Sequence, residues 1–223
     1  FKGRHFKKAI ILMAVRWYVA YALSYRNIEE LMAERGVSVD HSTINRWVVK
    51  YAPQLENNFR KKHKRKTGSS MRMDETYIKV KGQWFYLYRA VDKDGETIDF
   101  QLSEKRNEAA AKAFFTKAIN ASGKPKKVTI DKSGANNAAL KSLNNNLKEK
   151  DKIEIRQIKY LNNVVEQDHR FIKKIIKPMM GFKSFESAQA TLAGIELHHM
   201  LRKNQHENCE TTSVFKQFYA LAA

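Results

Sequence analysis

Residues 71–103 read Met71-Arg72-Met73-Asp74-Glu75-Thr76-Tyr77-Ile78-Lys79-Val80, then Lys81-Gly82, then Gln83-Trp84-Phe85-Tyr86-Leu87-Tyr88-Arg89-Ala90-Val91-Asp92, then Lys93-Asp94-Gly95, then Glu96-Thr97-Ile98-Asp99-Phe100-Gln101-Leu102-Ser103. Three runs rich in Tyr, Phe, Val, Ile and Thr are separated by two glycine-bearing turns, and Asp94-Gly95 is a strong hairpin signal. The stretch is predicted to form a three-stranded antiparallel meander. The elements downstream of the meander decide the fold class. An alanine-rich helix runs from about Asn107 to Asn120 and stops at Gly123 and Pro125. A fourth strand covers Lys127–Asp131, a helix starts at Gly134 and reaches about Leu147, and a fifth strand spans about Ile153–Ile158. A further helix opens at Asn162 or Asn163, either of which suits an N-cap. The order βββαβαβα fits neither a doubly wound sheet nor a sandwich, and predicts an α/β domain whose mixed five-stranded sheet is flanked by helices.

Upstream the period changes to that of helices. Phe6, Ile10, Met13, Ala14, Trp17 and Tyr21 recur at spacings of three and four, giving an amphipathic helix over residues 6–21. Ser24 caps a second helix that stops at Gly36, and Asp40 caps a third from His41 to about Tyr51, ended by Pro53. Two short helices about a glycine-containing turn have the outline of a helix-turn-helix, whose second helix points its N-terminal residues into the major groove. His41, Ser42, Asn45 and Arg46 are the candidate base readers, since Asn suits adenine and Arg suits guanine. The run Arg60-Lys61-Lys62-His63-Lys64-Arg65-Lys66, followed by Thr67-Gly68-Ser69-Ser70, marks a boundary. Lys61, Lys62, Lys64 and Arg65 would track phosphates, although the same composition equally suits a merely solvated connector. The expected organisation is an all-α DNA-binding domain over residues 1–59, a basic linker over 60–70, and a catalytic domain over 71–223 that ends in a helical tail.

Forty-two Lys and Arg against 23 Asp and Glu give the 223-residue chain a formal charge of +19. Residues 1–70 hold 15 basic and 5 acidic side chains and residues 71–223 hold 27 and 18, so both parts should meet a polyanion. Nucleic acid is the partner expected. A membrane surface is disfavoured, because no basic amphipathic anchor stands out and no apolar run approaches the ~20 residues of a span. A single cysteine, Cys209, excludes an internal disulfide and fits a reducing compartment such as the cytoplasm. The basic start continues into an amphipathic helix without a small-residue cleavage site, so no signal peptide is expected. The absence of an initiator Met suggests a trimmed chain.

Three acids fall where a sheet and a helix can gather them: Asp74 in the first strand, Asp131 at the end of the fourth, and Glu166 near the start of the helix after the fifth. Strand alternation puts Asp74 with Thr76, Ile78 and Val80 on one face and Glu75 on the other, so Asp74 and Glu75 should not both aim at one site. Asp92 and Asp94 belong to the hairpin turn, Asp99 should alternate outward, and Asp168 should point some 200° round the helix from Glu166. On that helix Glu166, His169 or Arg170, and Lys173 share a stripe. Of itself such a stripe is more often a solvated face than a site.

The words Ser24-Tyr25-Arg26, Asp40-His41-Ser42-Thr43-Ile44, Arg46-Trp47, Met73-Asp74-Glu75-Thr76-Tyr77, Tyr86-Leu87-Tyr88-Arg89-Ala90-Val91-Asp92, Lys159-Tyr160-Leu161-Asn162-Asn163, Glu166-Gln167-Asp168-His169 and Gly181-Phe182-Lys183-Ser184 run over most of the chain. In them the chain resembles the DDE transposases with a ribonuclease-H-like, retroviral-integrase core and, within these, the short bacterial insertion-sequence transposases of the IS-six group. The resemblance implies that Asp74, Asp131 and Glu166 are a catalytic, metal-binding triad and that Lys173 is the basic residue of the last motif. Thirty-four residues separate Asp131 from Glu166. Ser133-Gly134-Ala135-Asn136, after Asp131, departs from the Pro or aromatic expected of the family.

Such an enzyme would bind the terminal inverted repeats of an element, free 3′-OH ends and transfer them to target DNA. Two Mg²⁺ ions about 3.5–4 Å apart, with Mn²⁺ able to substitute, would orient the reactants, and three carboxylates are the ligand chemistry these hard cations prefer. Lys173, His169 and Arg170 would grip phosphates. Handling two ends together implies a homodimer or larger assembly. The competing expectation is a helix-turn-helix regulator, or a relic that binds DNA without cutting it; a ribonuclease or junction nuclease would have no need of the duplex reader. His198, His199, His206 and Cys209 fit no regular zinc spacing. Trp17, Trp47 and Trp84 read as packing residues rather than as base-stacking platforms.

Overall fold

A computed structural model describes residues 5–145 and 147–222; Asn146 and the ends of the expected domains at residues 1–4 and 223 lie outside the described residues. The chain forms two units, one of residues up to Arg65 together with Phe171 onward, the other of Lys66–Arg170. Contrary to the expected tail on the catalytic domain, the C-terminal helices therefore cluster with the N-terminal ones.

The helical unit holds α1 (Lys8–Ala20), α2 (Tyr25–Ala33), α3 (His41–Lys62), and the C-terminal helices α7 (Phe185–Arg202) and α8 (Val214–Ala220). Ser24 and Asn27 form a reciprocal capping box at α2, and Asp40 accepts from the Ser42 and Thr43 amides at α3. Gly36 takes φ +71° between them, a conformation that side chains with a Cβ rarely adopt. Pro53 does not end α3. Ile44, Trp47, Val48, Tyr51, Ala52, Leu55 and Phe59 are all buried along one continuous stripe, and their burial outweighs the hydrogen bond that proline removes. The helix so absorbs Arg60, Lys61 and Lys62 of the expected linker. The rest of that linker is tied down: the Arg65 amide donates to the Gln205 carbonyl and the Glu207 amide to the His63 carbonyl, at 2.9 Å each. α7 explains why the C-terminal segment belongs here. Its residues from Ala190 to Leu201 are buried almost all round, and a Cβ on Gly194 would come within 2.6 Å of Val19 and 2.9 Å of Ala52. No helix among the described residues is long and apolar enough to cross a membrane.

The other unit is built on a sheet of β1 (Ser70–Val80), β2 (Gln83–Val91), β3 (Thr97–Ser103), β4 (Lys127–Ile130) and β5 (Glu154–Gln157), ordered β3-β2-β1-β4-β5. β1, β2 and β3 are antiparallel, whereas β4 lies parallel to β1 and β5 parallel to β4. This is the mixed five-stranded sheet expected. Lys81 and Gly82 both take positive φ in the first turn, the hairpin chemistry that two-residue loops require. Asp92 is 1 % exposed yet satisfied, accepting from the amides of Gly68, Asp94 and Glu96. α4 (Glu108–Ser122) and α5 (Gly134–Asn144) cover one face; Phe114 and Phe115 of α4 and Leu140 of α5 share a core with Met71, Met73, Tyr88 and Ile130. α5 stops short of the expected Leu147. Asp99 does not point outward: it is fully buried and pairs with Lys117 of α4 at 3.0 Å, because α4 crosses the face that β3 presents. α6 (Asn163–Ile176) follows β5 through a 3-10 turn at Lys159–Asn162.

Candidate active site

β1 pairs with β4 only through Ser70, Met71 and Arg72, opposite Lys127, Val128 and Thr129. Extending that register by two residues brings Asp74 level with Asp131, just beyond the last residue of β4. Past that point no strand among the described residues pairs with this edge of β1, so Asp131, just off the end of β4, can be reached by side chains from either face of β1. Oxygens of Asp74, Glu75 and Asp131 accordingly lie within 4.8 Å of one another. Glu75 therefore joins the site, contrary to the expectation from strand alternation. Alternation decides which residues reach a target on one face of a sheet, not one lying off a strand end.

The cluster is held from several sides. Asp131 accepts from the Ser133 amide at 2.9 Å at the start of α5. Glu75, its side chain 3 % exposed, accepts from the Asn136 amide group at 3.1 Å and pairs with Arg106 Nε at 3.5 Å. Arg106 Nη2 is also 3.5 Å from Asp131, so one guanidinium spans two carboxylates. Asn136, in the segment that departs from the family pattern, is thus fully buried against the site. Burial and the charge of Glu75, joined by Asp131 and Glu166 and opposed by a backbone hydrogen bond from Glu75, push the Asp74 carboxyl from its ordinary 3.8 up to about 7. Burial likewise raises Glu75, against the pull of Arg106 and Asn136. Carboxylates crowded until they resist ionising are the donor set of a divalent cation site, and a buried Glu75 Oε2 without a hydrogen-bond partner is consistent with one.

Glu166 is exposed in the first turn of α6, outside the tight group but within electrostatic reach of Asp74. Two buried contacts fix the helix that carries it. Asn162 Nδ2 donates at 3.0 Å to the Met73 carbonyl on β1 while its Oδ1 accepts no hydrogen bond among the described residues, so this residue, one of the two expected as a cap, instead ties the helix start to the sheet; Asp168 meets the fully buried Arg89 of β2 at 2.7 Å. Val165, His169 and Ile172 form the buried stripe of α6. His169 is therefore turned inward, its Nδ1 3.7 Å from Asp74 Oδ2, and not toward solvent as a phosphate grip would be. Arg170 and Lys173 are exposed as expected.

In the helical unit Ser42 and Arg46 are exposed and His41 and Asn45 partly so, and all four line a cavity of about 700 Å³. His41 Nδ1 lies 3.0 Å from Glu29, and Arg46 donates to Thr43. Lys61, Lys62 and Arg65 are exposed and Lys64 half-buried. His198, His199, His206 and Cys209 form no metal-ligating group among the described residues: His199 stacks on Phe171, and His206 on His63. Burial, with Arg16 and Arg202 nearby, pushes His198 down to about 4. Trp47 packs against Phe6, whereas Trp84 is 60 % exposed and packs into no core. The sequence reading set Glu75 aside and gave Arg106, Asn136 and Arg89 no role in the site. The one signal for Glu75 was the unequal lengths of the first and fourth strands, which leaves the β1 edge open at the acids.

A family model described as a DDE domain matches residues 68–205, and one described as the IS66 family of transposases matches residues 5–124. The transposase for the insertion sequence-like element IS431mec of Staphylococcus aureus is 43 % identical over 210 residues, 94 % of this chain and 92 % of the relative. The transposase of insertion sequence element IS257 in transposon Tn4003, also of Staphylococcus aureus, matches with the same identity and coverage. Among solved structures, the catalytic core domain of HTLV-2 integrase in complex with magnesium is similar at 19 % identity and a TM-score of 0.41, over 50 % of this chain and 71 % of that one. Identity at this level over almost the full length of both chains means that the protein belongs to the DDE transposases of insertion sequences, consistent with the IS-six group.

Proposed function

We propose that the protein binds the terminal inverted repeats of its insertion sequence, cleaves DNA there to expose 3′-OH ends, and transfers those ends to target DNA by phosphoryl transfer with Mg²⁺, for which Mn²⁺ would substitute. The observation that carries this is the meeting of Asp74, Glu75 and Asp131 within 4.8 Å on an open strand edge, with Glu166 in electrostatic reach. Asp74, Asp131 and Glu166 would hold the cations, with Glu75 beside them. Bound there, Mg²⁺ would supply Lewis-acid compensation for the charge on the attacking and leaving oxygens.

The chain's own residues do the rest. His169 and the Glu75 amide fix the Asp74 carboxylate, while Arg106 and the Ser133 amide orient Asp131. The Arg89–Asp168 pair and the Asn162–Met73 bond hold α6 so that Glu166 stays on the site side. Arg170 and Lys173, exposed on the same helix, steady the phosphates that flank the scissile bond. In the first step the oxygen of water bonds to phosphorus, the P–O3′ bond breaks and the leaving 3′ oxygen takes up a proton; in the second that freed 3′-OH loses its proton and bonds to a target phosphorus, the target's own P–O3′ bond breaks, and a target 3′-OH leaves. His41, Ser42, Asn45 and Arg46 read base edges, and Lys61, Lys62, Lys64 and Arg65 follow the backbone. Two ends handled together call for a homodimer or a larger assembly, working on double-stranded DNA in the bacterial cytoplasm.

The test is to incubate the protein with Mg²⁺ and labelled terminal-repeat DNA, with Asp131→Ala as control. Strand-specific nicks at the repeat boundary are expected from the wild type alone. Glu166→Gln should lose both nicking and joining while keeping end binding; joining at near wild-type rate by that variant removes Glu166 from the role.

A further inference from the structure

The β1–β2 hairpin carries a second feature that the acidic site does not use. Its register places Glu75 opposite Tyr88, Tyr77 opposite Tyr86 and Lys79 opposite Trp84, all on one face. At the Tyr88 end that face is core, shared with Phe114 of α4. Toward the turn it is bare: Tyr77 is 53 % exposed and Trp84 60 %. The Tyr77 ring lies 6.1 Å from that of Trp84 and 5.4 Å from that of Tyr86, so the rings make a continuous stripe. Lys79 and Lys81 are exposed beside it, and Arg106 at the carboxylates is within electrostatic reach of Tyr77. Packing accounts for Tyr86, which is partly buried against the core, but not for the other two rings: Tyr77 and Trp84 stay more than half exposed and lie outside that core cluster. The opposite face of the same hairpin, with Ile78 and Val80 at 1 % exposure, is the one the fold buries.

Place and charge say what could lie on it. Successive residues on one face of a strand are about 7 Å apart, so Tyr77 stands one such step from Glu75, and the Lys79–Trp84 pair two. A strand of DNA held by a phosphodiester at the carboxylates would run its next few nucleotides along these rings, with lysines and arginine to meet its phosphates. Paired bases hide their faces in the duplex stack; only an unpaired base offers a face to a protein ring. We propose that Tyr77, Trp84 and Tyr86 form a stacking platform for unpaired bases next to the scissile phosphodiester, so that the protein engages a DNA end that has been opened. This rests on the DNA-cutting reading of the acidic site.

The experiment uses the full chain without divalent cation and measures, by fluorescence anisotropy, its affinity for two probes of equal length and sequence. One is fully paired; the other has about three unpaired nucleotides next to the cleavage position. Wild type should prefer the opened probe by between about five-fold and a hundred-fold, the range of one stacked base. Trp84→Ala and Tyr77→Ala should lose most of that preference while keeping wild-type affinity for the paired probe and its salt dependence, which report phosphate contacts. Trp84→Phe should retain most of it, and abasic sites in the unpaired nucleotides should abolish it. Thermal melting checks that each variant is folded, and the exposure of both side chains favours that. Equal preference in wild type and both alanine variants overturns the proposal, as does no preference in wild type. A fall in self-association on sedimentation, with the preference intact, would instead make the stripe an interface between copies. Nicking with Mg²⁺ separates the two readings: nicks without preference for the opened probe sink the platform alone, and preference without nicks sinks the cutting reading alone.

Discussion

Breaking the Arg89–Asp168 pair is expected to destabilise the protein strongly, and more than its other ion pairs suggest. The two side chains are 0 % and 10 % exposed and 2.7 Å apart, bridging β2 to α6. An exposed pair such as Lys152–Glu149, with its glutamate 87 % exposed, contributes at most about 1 kcal/mol. Removing one member of a buried pair costs about 3–5 kcal/mol, because the remaining charge has lost both its water and its partner. That is a large share of the roughly 5–15 kcal/mol by which whole domains are stable. Asp168→Ala and Arg89→Met should each lower the urea midpoint by the equivalent of about 3 kcal/mol or more, read by circular dichroism with the slope unchanged. The double variant Arg89→Met with Asp168→Leu should recover most of the loss, since replacing both charges by apolar groups removes the desolvation cost as well. Asp168→Asn, at a temperature where it remains folded, should bind DNA but nick it poorly, because Glu166 rides on the same helix two residues away. Single variants that lose less than about 1 kcal/mol would refute the account, and so would a double variant no better than either single.

Three further outcomes rest on particular contacts. With Asp74 raised from 3.8 to about 7, the folded chain holds a proton that the unfolded chain has lost, so stability without divalent cation should fall as pH rises through that window and level off above it; Asp74→Asn should flatten this part of the slope, and Mg²⁺ should bind more tightly as pH rises toward 7, both read by urea titration across the range. An unchanged slope in Asp74→Asn would clear the carboxyl of the effect. Gly194→Ala gains about 1 kcal/mol of helix propensity but forces a Cβ to within 2.6 Å of Val19 and 2.9 Å of Ala52, and overpacking of that kind costs about 1–3 kcal/mol; a lowered melting temperature is expected, and a raised one would show that α7 can slide. Pro53→Ala, inside α3, restores an amide donor to the helix and should stabilise it by about 1–3 kcal/mol, checked by the same melt.

The sheet was legible because period-two patterning and turn chemistry are local. Lys81-Gly82 and Asp94-Gly95 each announce a change of direction within four residues. Two kinds of feature were not. Pro53 reads as a helix end because proline acts on its own turn, whereas the stripe from Ile44 to Phe59 that overrides it extends over four turns. The place of the C-terminal helices depends on Gly194 fitting between Val19 and Ala52, residues more than 140 positions away in sequence. Within the site, Asp131 and Glu166 could be singled out by their positions at element ends, and Asp74, inside the first strand, by the family resemblance. Alternation leaves Glu75 out and the helical stripe aims His169 at solvent, since face assignments on a strand or helix say nothing about what adjoins its end. The bridging role of Arg106 comes from a loop, where no periodicity applies.

Charge balance gives the site's chemistry a further constraint. If ionised, Asp74, Glu75, Asp131 and Glu166 bring four negative charges within mutual influence, and Arg106 returns one positive charge. Burial first, and this excess of negative charge after it, keep the Asp74 carboxyl protonated to about 7. One divalent cation would leave a small negative excess, which repels a phosphodiester. Two would leave a small positive one, which a single phosphodiester neutralises. On this reasoning the proposed DNA substrate and the second cation favour each other's binding, since each removes the charge that opposes the other. Arg106 sets the balance point: Arg106→Ala should tighten cation binding in the absence of DNA by removing a competitor at Asp131 and Glu75, while lessening the gain in cation affinity that DNA brings. Calorimetric Mg²⁺ titrations with and without DNA distinguish this from a purely structural arginine, whose loss would weaken both.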